Sequence, residues 1–413
     1  MKRSSALLLL LLCASSAATA QEARPLTLDE AFNLALRRSE TLAAGGEGVK
    51  QLEAFRRAQS AAFRPELSAI ASETAAQGAQ GAPGRGQAAV NLSYNLFSGL
   101  RDYLAAKAAG ARTEAARLEL ARARQGLYID VAAACIDLAA RRAEIAVRRA
   151  QLEVTAGRVK ELENRAAIGR SRASEVLAAK AQLAQDEASL ASELAGENSA
   201  QIALGFLTGL EGPLAPAAAA VPALPELEPY LLAARSRPDV AAARQSLRAA
   251  QAGESAARRL GLPSLDLSAN YYLKRPAPNE DDRWDAGLTL RVPLYTGGYN
   301  RASADQYGAQ ASAAALALAL AERSALAEVR QAHSSLRHSL LVMASLRAAL
   351  ALAGENARLQ AKDYTYGLVT NLDVLNAQNS ALQTALNLEA ATAAAALAAA
   401  RLETAAGLAP EIK

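Results

Sequence analysis

The chain has 413 residues, of which 51% are hydrophobic but only 4% aromatic. Its apolar content rests on alanine and leucine, with proline sparse over long stretches, which favours long packed helices over a layered α/β enzyme core. The formal charge of +4 comes from interleaved acidic and basic residues without a basic–aromatic module, so nucleic acid is not an expected partner.

Residues 1–20 read as a signal peptide. Lys2 and Arg3 form the positive start, Ala6 to Leu12 the apolar run, and Ala18-Thr19-Ala20 a small-residue cleavage site. The alternative, an uncleaved anchor, is disfavoured because a span needs ~20 apolar residues. Leu12 precedes Cys13 where a lipidation site wants a small residue, so no lipid is expected there. Cys135 is then the one remaining cysteine and reads as core filler. Nothing after residue 20 reads as long and apolar enough for a transmembrane helix.

In TLDEAFNLALRRSE, Thr27 caps a helix and Glu30 completes a capping box. The helical pattern continues to about Phe63, and Pro65 ends it. Strands follow. In QAAVNLSYNLF, Val90, Leu92, Tyr94 and Leu96 share one face, and Asn91, Ser93 and Asn95 the other. SLDLSANYYL and RWDAGLTLRVPLY alternate in the same way, and Glu66 to Thr74 is a weaker fourth. Each approaches the ~9–11 residues of a tilted transmembrane strand. Their connections, GAQGAPGRG and PAPNEDD, read as polar tips. The aromatics Tyr94, Phe97, Tyr271, Trp284 and Tyr295 suit the interfacial girdles of a barrel. Two soluble amphipathic hairpins would give the same alternation. If the strands span a membrane, four cannot close a barrel, since known bacterial barrels start at ~8. An open edge facing lipid leaves backbone groups unpaired. Several chains must then share one barrel.

After Gly99 the chain runs without proline to about Asn164, ~95 Å of helix. Val131, Leu138, Ile145, Leu152 and Val159 recur every seven residues, the period of a left-handed supercoil. A second stripe, Ile129, Ile136, Ala143, Ala150 and Gly157, lies beside it. Two seams imply neighbours on both sides, as in a tube of helices. The helix turns at NRAAIGRSRASEVL, where Gly169 supplies the break and Ser174 a cap, and a second helix returns to Gly209.

The second half repeats this order at a constant offset of 198, pairing Pro65 with Pro263, Gly99 with Gly297, Gly169 with Gly367 and Gly209 with Gly407. Its turn is DYTYGLVTNLDVL, with Thr370 as the cap. The expected domains are a first repeat over 21–212, a proline-rich extended linker over 213–229, and a second repeat over 224–413.

LTLDEAFNLAL, PELS, PSLDLS, NLFSG, PLYTGG and above all YGLVTNLDVLNAQ (366–378) carry a resemblance to the TolC-like outer-membrane efflux proteins. The resemblance implies a mainly α fold with transmembrane β: a homotrimeric, twelve-stranded barrel in outer-membrane lipid, continued by a long periplasmic α-helical barrel. It implies an exit duct for tripartite efflux or type I secretion. The partners would be a periplasmic adaptor (membrane fusion) protein and an inner-membrane transporter of RND or ABC type. Docking tips would comprise Ile168, Gly169, Ser171, Gly367, Leu368 and Thr370. An iris-like periplasmic gate would involve Tyr364, Asp373 and, in the first half, Glu175. Val369 stands where some members have a gating arginine, and Asn376 where a second ring aspartate occurs. The short tail after Gly407 leaves little room for a mid-tunnel domain.

No enzyme is expected. His333 and His338 lie five apart without the spacing of a zinc protease, and read as exposed helix residues. No phosphate loop or nucleophile elbow is present, and no cofactor or metal is called for. The rival reading is a periplasmic coiled-coil scaffold or pump adaptor without a channel. The cargo, whether drug, metal or protein, is not legible.

Overall fold

The computed structural model describes residues 24–74, 85–217, 220–276, 279 and 281–408. Residues 1–20, read above as a signal peptide, most of the tip 78–86 and part of the tip 276–282 lie outside the described residues. The chain is mainly helical and forms two compact units, each built from several separate segments.

The first unit takes residues up to Arg38, 131–219 and 349–393. It opens with β1 (Arg24–Leu26), which pairs in parallel with β4 (Leu214–Pro216). The latter falls in the segment expected to be an extended linker, 213–229. Strands of three residues carry too little alternation to be read from a proline-rich sequence. Next comes α1 (Leu28–Arg38), which packs on α4 (Ala173–Thr208). Its capping box forms as expected: Thr27 N donates to Glu30 Oε2 at 3.0 Å, and Glu30 N to Thr27 Oγ1 at 3.2 Å. Helix α2 (Glu40–Ala61) lies in the second unit. The single helical stretch of the sequence reading is therefore two helices. Ser39 stops the first and caps the second, its hydroxyl accepting from Leu42 N at 3.2 Å.

Two helices of 67 residues, α3 (Arg101–Ala167) and α7 (Tyr299–Thr365), run through both units. At ~1.5 Å per residue each is about 100 Å long. They begin 198 residues apart, as do α4 and α8 (Asn371–Ala406), each of 36 residues. On α3 the heptad stripe is the buried one: Val131, Leu138, Ile145 and Val159 are all buried. In the second stripe Ile136 is buried, while Ala150 and Gly157 are exposed on the single chain. Between Asp305 and Glu322, α7 carries no charge. By length and composition it passes as a possible span, which corrects the expectation that no such helix follows residue 20. The stretch is chiefly alanine, which interrupts no helix and weakly favours lipid.

The second unit holds α2, α5 (Leu227–Ala234), α6 (Pro238–Ala257) and the sheet. Val240, Val329, Leu336 and Leu402 form its buried core. The Arg237 guanidinium is buried there. It bonds both Asp239 oxygens at 2.7 Å, Glu328 at 2.6 Å and the Ala405 carbonyl at 3.0 Å, joining α6, α7 and the end of α8. His333 is half-buried, not exposed as expected. Its Nε2–H donates to the Pro225 carbonyl at 3.0 Å, tying the segment before α5 to α7.

The sheet is antiparallel, in the order β2 (Glu66–Thr74), β3 (Arg85–Phe97), β5 (Ser264–Lys274), β6 (Trp284–Arg291). All four strands are those expected, though β6 stops before Tyr295. One apolar row runs Leu67, Leu92, Ala269, Ala286, and the next Ala69, Val90, Tyr271, Trp284. The other face carries Ser68, Asn91, Asn270 and Asp285 in one row. Leu96 does not join the apolar row. A bulge between Asn95 and Phe97 resets the alternation and sets Phe97 opposite Leu265.

Candidate functional site

The sheet presents two chemically opposite surfaces. On the polar face, Asn91 Nδ2 donates to Asn270 Oδ1 at 2.7 Å, and Asn270 Nδ2 donates to Asp285 Oδ1 at 2.8 Å. Tyr272 Oη donates to the second Asp285 oxygen at 2.8 Å, and Arg275 lies over the Tyr272 ring. These bonds fix the register of three strands with side chains as well as backbone. The apolar face is uncovered: Leu67 and Trp284 are each 70% exposed, and Leu288 and Leu290 are exposed beside them. Among the described residues β2 pairs only with β3, and β6 only with β5, so both edges are open.

Of the expected interfacial aromatics, Tyr271 and Trp284 face each other at one end of the sheet. Tyr94 and Phe97 lie toward the other end, opposite Leu267 and Leu265. Tyr295 stands beyond β6, almost wholly exposed. From Trp284 to Leu290 the apolar face spans about 20 Å of strand.

In the first unit the two helical turns close alike. Gly169 and Gly367 adopt φ of 72° and 74°, the left-handed region that a Cβ disfavours. Arg170 N donates to Arg165 O at 2.8 Å, and Leu368 N to Asp363 O at 3.1 Å, which satisfies the last carbonyls of α3 and α7. Ile168 and Leu368 are left 66% and 72% exposed. Thr370 is exposed and Ser171 half-buried.

Thr370 caps α8 as expected. Asp373 N donates to its hydroxyl at 3.3 Å, while that hydroxyl and Thr370 N donate back to Asp373 Oδ2 at 2.6 and 2.8 Å. These bonds hold the Asp373 carboxyl below the usual range. Ser174 does not cap α4. The helix starts a residue before it, with Arg172 at the cap position and no side-chain cap bond. Glu175 does that work instead: Ser171 Oγ donates to it at 2.6 Å, and the Arg172 backbone also bonds it, lowering its pKa.

The structure brings Tyr364 and Glu175 together, the phenol donating to Glu175 Oε2 at 3.4 Å. Asp373 bonds Thr370 and not that pair. The Tyr364 ring is buried among Val159, Leu162, Ala179 and Val374, with Val369 packed alongside. Two arginines that sequence reasoning missed lie over this ring: Arg158 at 3.9 Å from its centroid and Arg165 at 5.0 Å. Arg158 lies six residues before Asn164 on the same helix, and no local pattern marks a buried arginine there.

Residues 230–408 match the family described as outer membrane efflux protein. Over 161 residues the chain is 29% identical to Nodulation protein T of Rhizobium leguminosarum bv. viciae, a match spanning 38% of this chain and 33% of that relative. Among solved structures, the outer membrane protein VceC of Vibrio cholerae is 25% identical, covers 92% of this chain and 96% of its own, and superposes with a TM-score of 0.81. CusC, described for transmembrane channel formation, is 21% identical, covers 92% of each chain and has a TM-score of 0.83. The resemblance to TolC-like outer-membrane efflux proteins therefore holds over the fold as a whole.

Proposed function

We propose that the chain is the outer-membrane exit duct of a tripartite efflux or type I secretion system, working as a homotrimer. The observation that carries this reading is the four-stranded sheet, apolar on one uncovered face, polar on the other and open at both edges. Pairing β6 of one copy with β2 of the next closes twelve strands. The apolar faces then meet lipid and the Asn–Asp rows line a wet lumen. The equal lengths of α3 and α7, and of α4 and α8, support a duplicated chain. Its repeats cover 21–212 and 224–413, joined across 213–229. Exposed apolar residues on α7, among them Leu316, Leu341 and Leu352, suit burial against neighbouring helices of a periplasmic tube.

The exposed Ile168 and Leu368 turns are the docking points for a periplasmic adaptor, which links the duct to an inner-membrane transporter. Tyr364 with Glu175 forms the periplasmic gate. Asp373, brought near its two symmetry mates, gives the entrance a carboxylate ring that attracts cations. Reconstituted in planar bilayers, the mature protein gives discrete conductance steps that multivalent cations block. Asp373→Ala weakens the block several-fold; unchanged block removes Asp373 from the entrance. A protein that fractionates with the soluble periplasm and conducts nothing is the scaffold of the rival reading.

A further inference from the structure

Arg158 is a charged side chain buried in a bundle of long helices, an arrangement that costs free energy unless every donor is met. Its Nε donates to Asn371 Oδ1 at 3.0 Å, and Asn371, itself buried, is the first residue of α8. Its Cζ lies 3.9 Å from the ring centroid of Tyr364, the penultimate residue of α7. Nη1 bonds Glu161 on its own helix at 2.8 Å. Nη2 is buried with no partner among the described residues. One guanidinium from α3 thus holds the last turn of α7 and the first of α8. Arg165 adds a second, more exposed cation on the same ring, itself bonded to Glu161 at 2.8 Å.

We infer that Arg158 is the latch of the periplasmic turn: a positioning residue that pins the α7–α8 turn to α3 through Tyr364 and Asn371 and so keeps the gate shut. This rests on the gate reading given above. A planar fork is required, because only a guanidinium can bond Asn371 in its plane while stacking on Tyr364 with its face. Val369, an apolar residue packed on the same cluster, adds no ionic lock of its own.

The test is the time-averaged conductance of the mature protein in planar bilayers, for Arg158→Gln, Tyr364→Leu and the double variant. Arg142→Gln serves as control, since Arg142 lies on α3 like Arg158 but pairs with Glu197 of α4 at 2.7 Å, away from the turn. A desolvated cation–π contact is worth roughly tenfold to thirtyfold in an equilibrium. Each single variant is expected to raise conductance about tenfold, the double variant no further, and the control not at all. Arg158→Lys stays leaky. If Arg158→Gln fails to assemble, Asn371→Ala removes the other anchor without touching α3 and is expected to leak likewise. Should Tyr364→Leu leak while Arg158→Gln and Asn371→Ala remain shut, the latch is overturned and the gate reading survives. Should none of them leak, the gate reading falls and takes the latch with it. Additive effects of Arg158→Gln and Tyr364→Leu overturn the claim that one acts through the other.

Discussion

Asp373 illustrates how one side chain serves both local structure and the proposed entrance. It completes the cap of α8 by accepting from both Thr370 donors. Its folded pKa is depressed from the ordinary 3.8 by those bonds. A carboxylate with a depressed folded pKa stabilises the fold above its unfolded value, and that contribution is lost as pH falls through the folded one. Asp373→Ala therefore lowers the melting temperature by the same small amount at pH 7 and pH 5. The difference shrinks below the ordinary carboxylate range; a difference growing toward acid pH contradicts the cap. Cys135 is the opposite case, a group with no chemistry to offer. Burial pushes its thiol up to about 11, so at neutral pH it stays protonated and packs as a small apolar side chain. That role was legible in the sequence. Arg158 was not, because a lone arginine in an alanine-rich helix reads as a solvated surface charge. Only the approach of α7 and α8 reveals the ring and the amide that hold it.

At the scale of elements, the strands were the most legible feature, because a two-residue period separates apolar from polar positions. Leu288 and Thr289 are neighbours on β6 with opposite facing: Leu288 pairs with Leu267, and Thr289 with Asp266. If the apolar face meets lipid, Leu288→Arg costs about 2–4 kcal/mol near the bilayer midplane, and the folded yield of barrel drops. Thr289→Arg, on the lumen side, is tolerated and alters conductance instead. Equal loss with both substitutions contradicts a two-sided sheet; the measurement is the amount of heat-modifiable or protease-resistant protein in the outer-membrane fraction. The bulge that displaces Leu96 escaped the pattern because one inserted residue leaves no compositional trace. The break at Ser39 was hidden by helix-forming residues on both sides. The parallel β1–β4 pair joins segments nearly two hundred residues apart, which no local period encodes.

The scale of the whole molecule is where an element's shortcomings become informative. A sheet with two open edges and an uncovered apolar face is not a stable end state for a single chain in water or in lipid. Helices of 67 residues that leave Leu316, Leu341 and Leu352 in solvent pose the same problem along their length. The proposed closing of three copies into one barrel answers both. The offset of 198 makes the paired long helices and turns legible in the sequence alone. The two compact units are not, because each gathers segments from both halves of the chain. The shared barrel is open to a single decisive measurement, imaging of the detergent-extracted mature protein by electron microscopy. Threefold end views, with a tube extending about 100 Å from the detergent belt, are the expected result. Monomers, or slender two-stranded rods without a belt, contradict it.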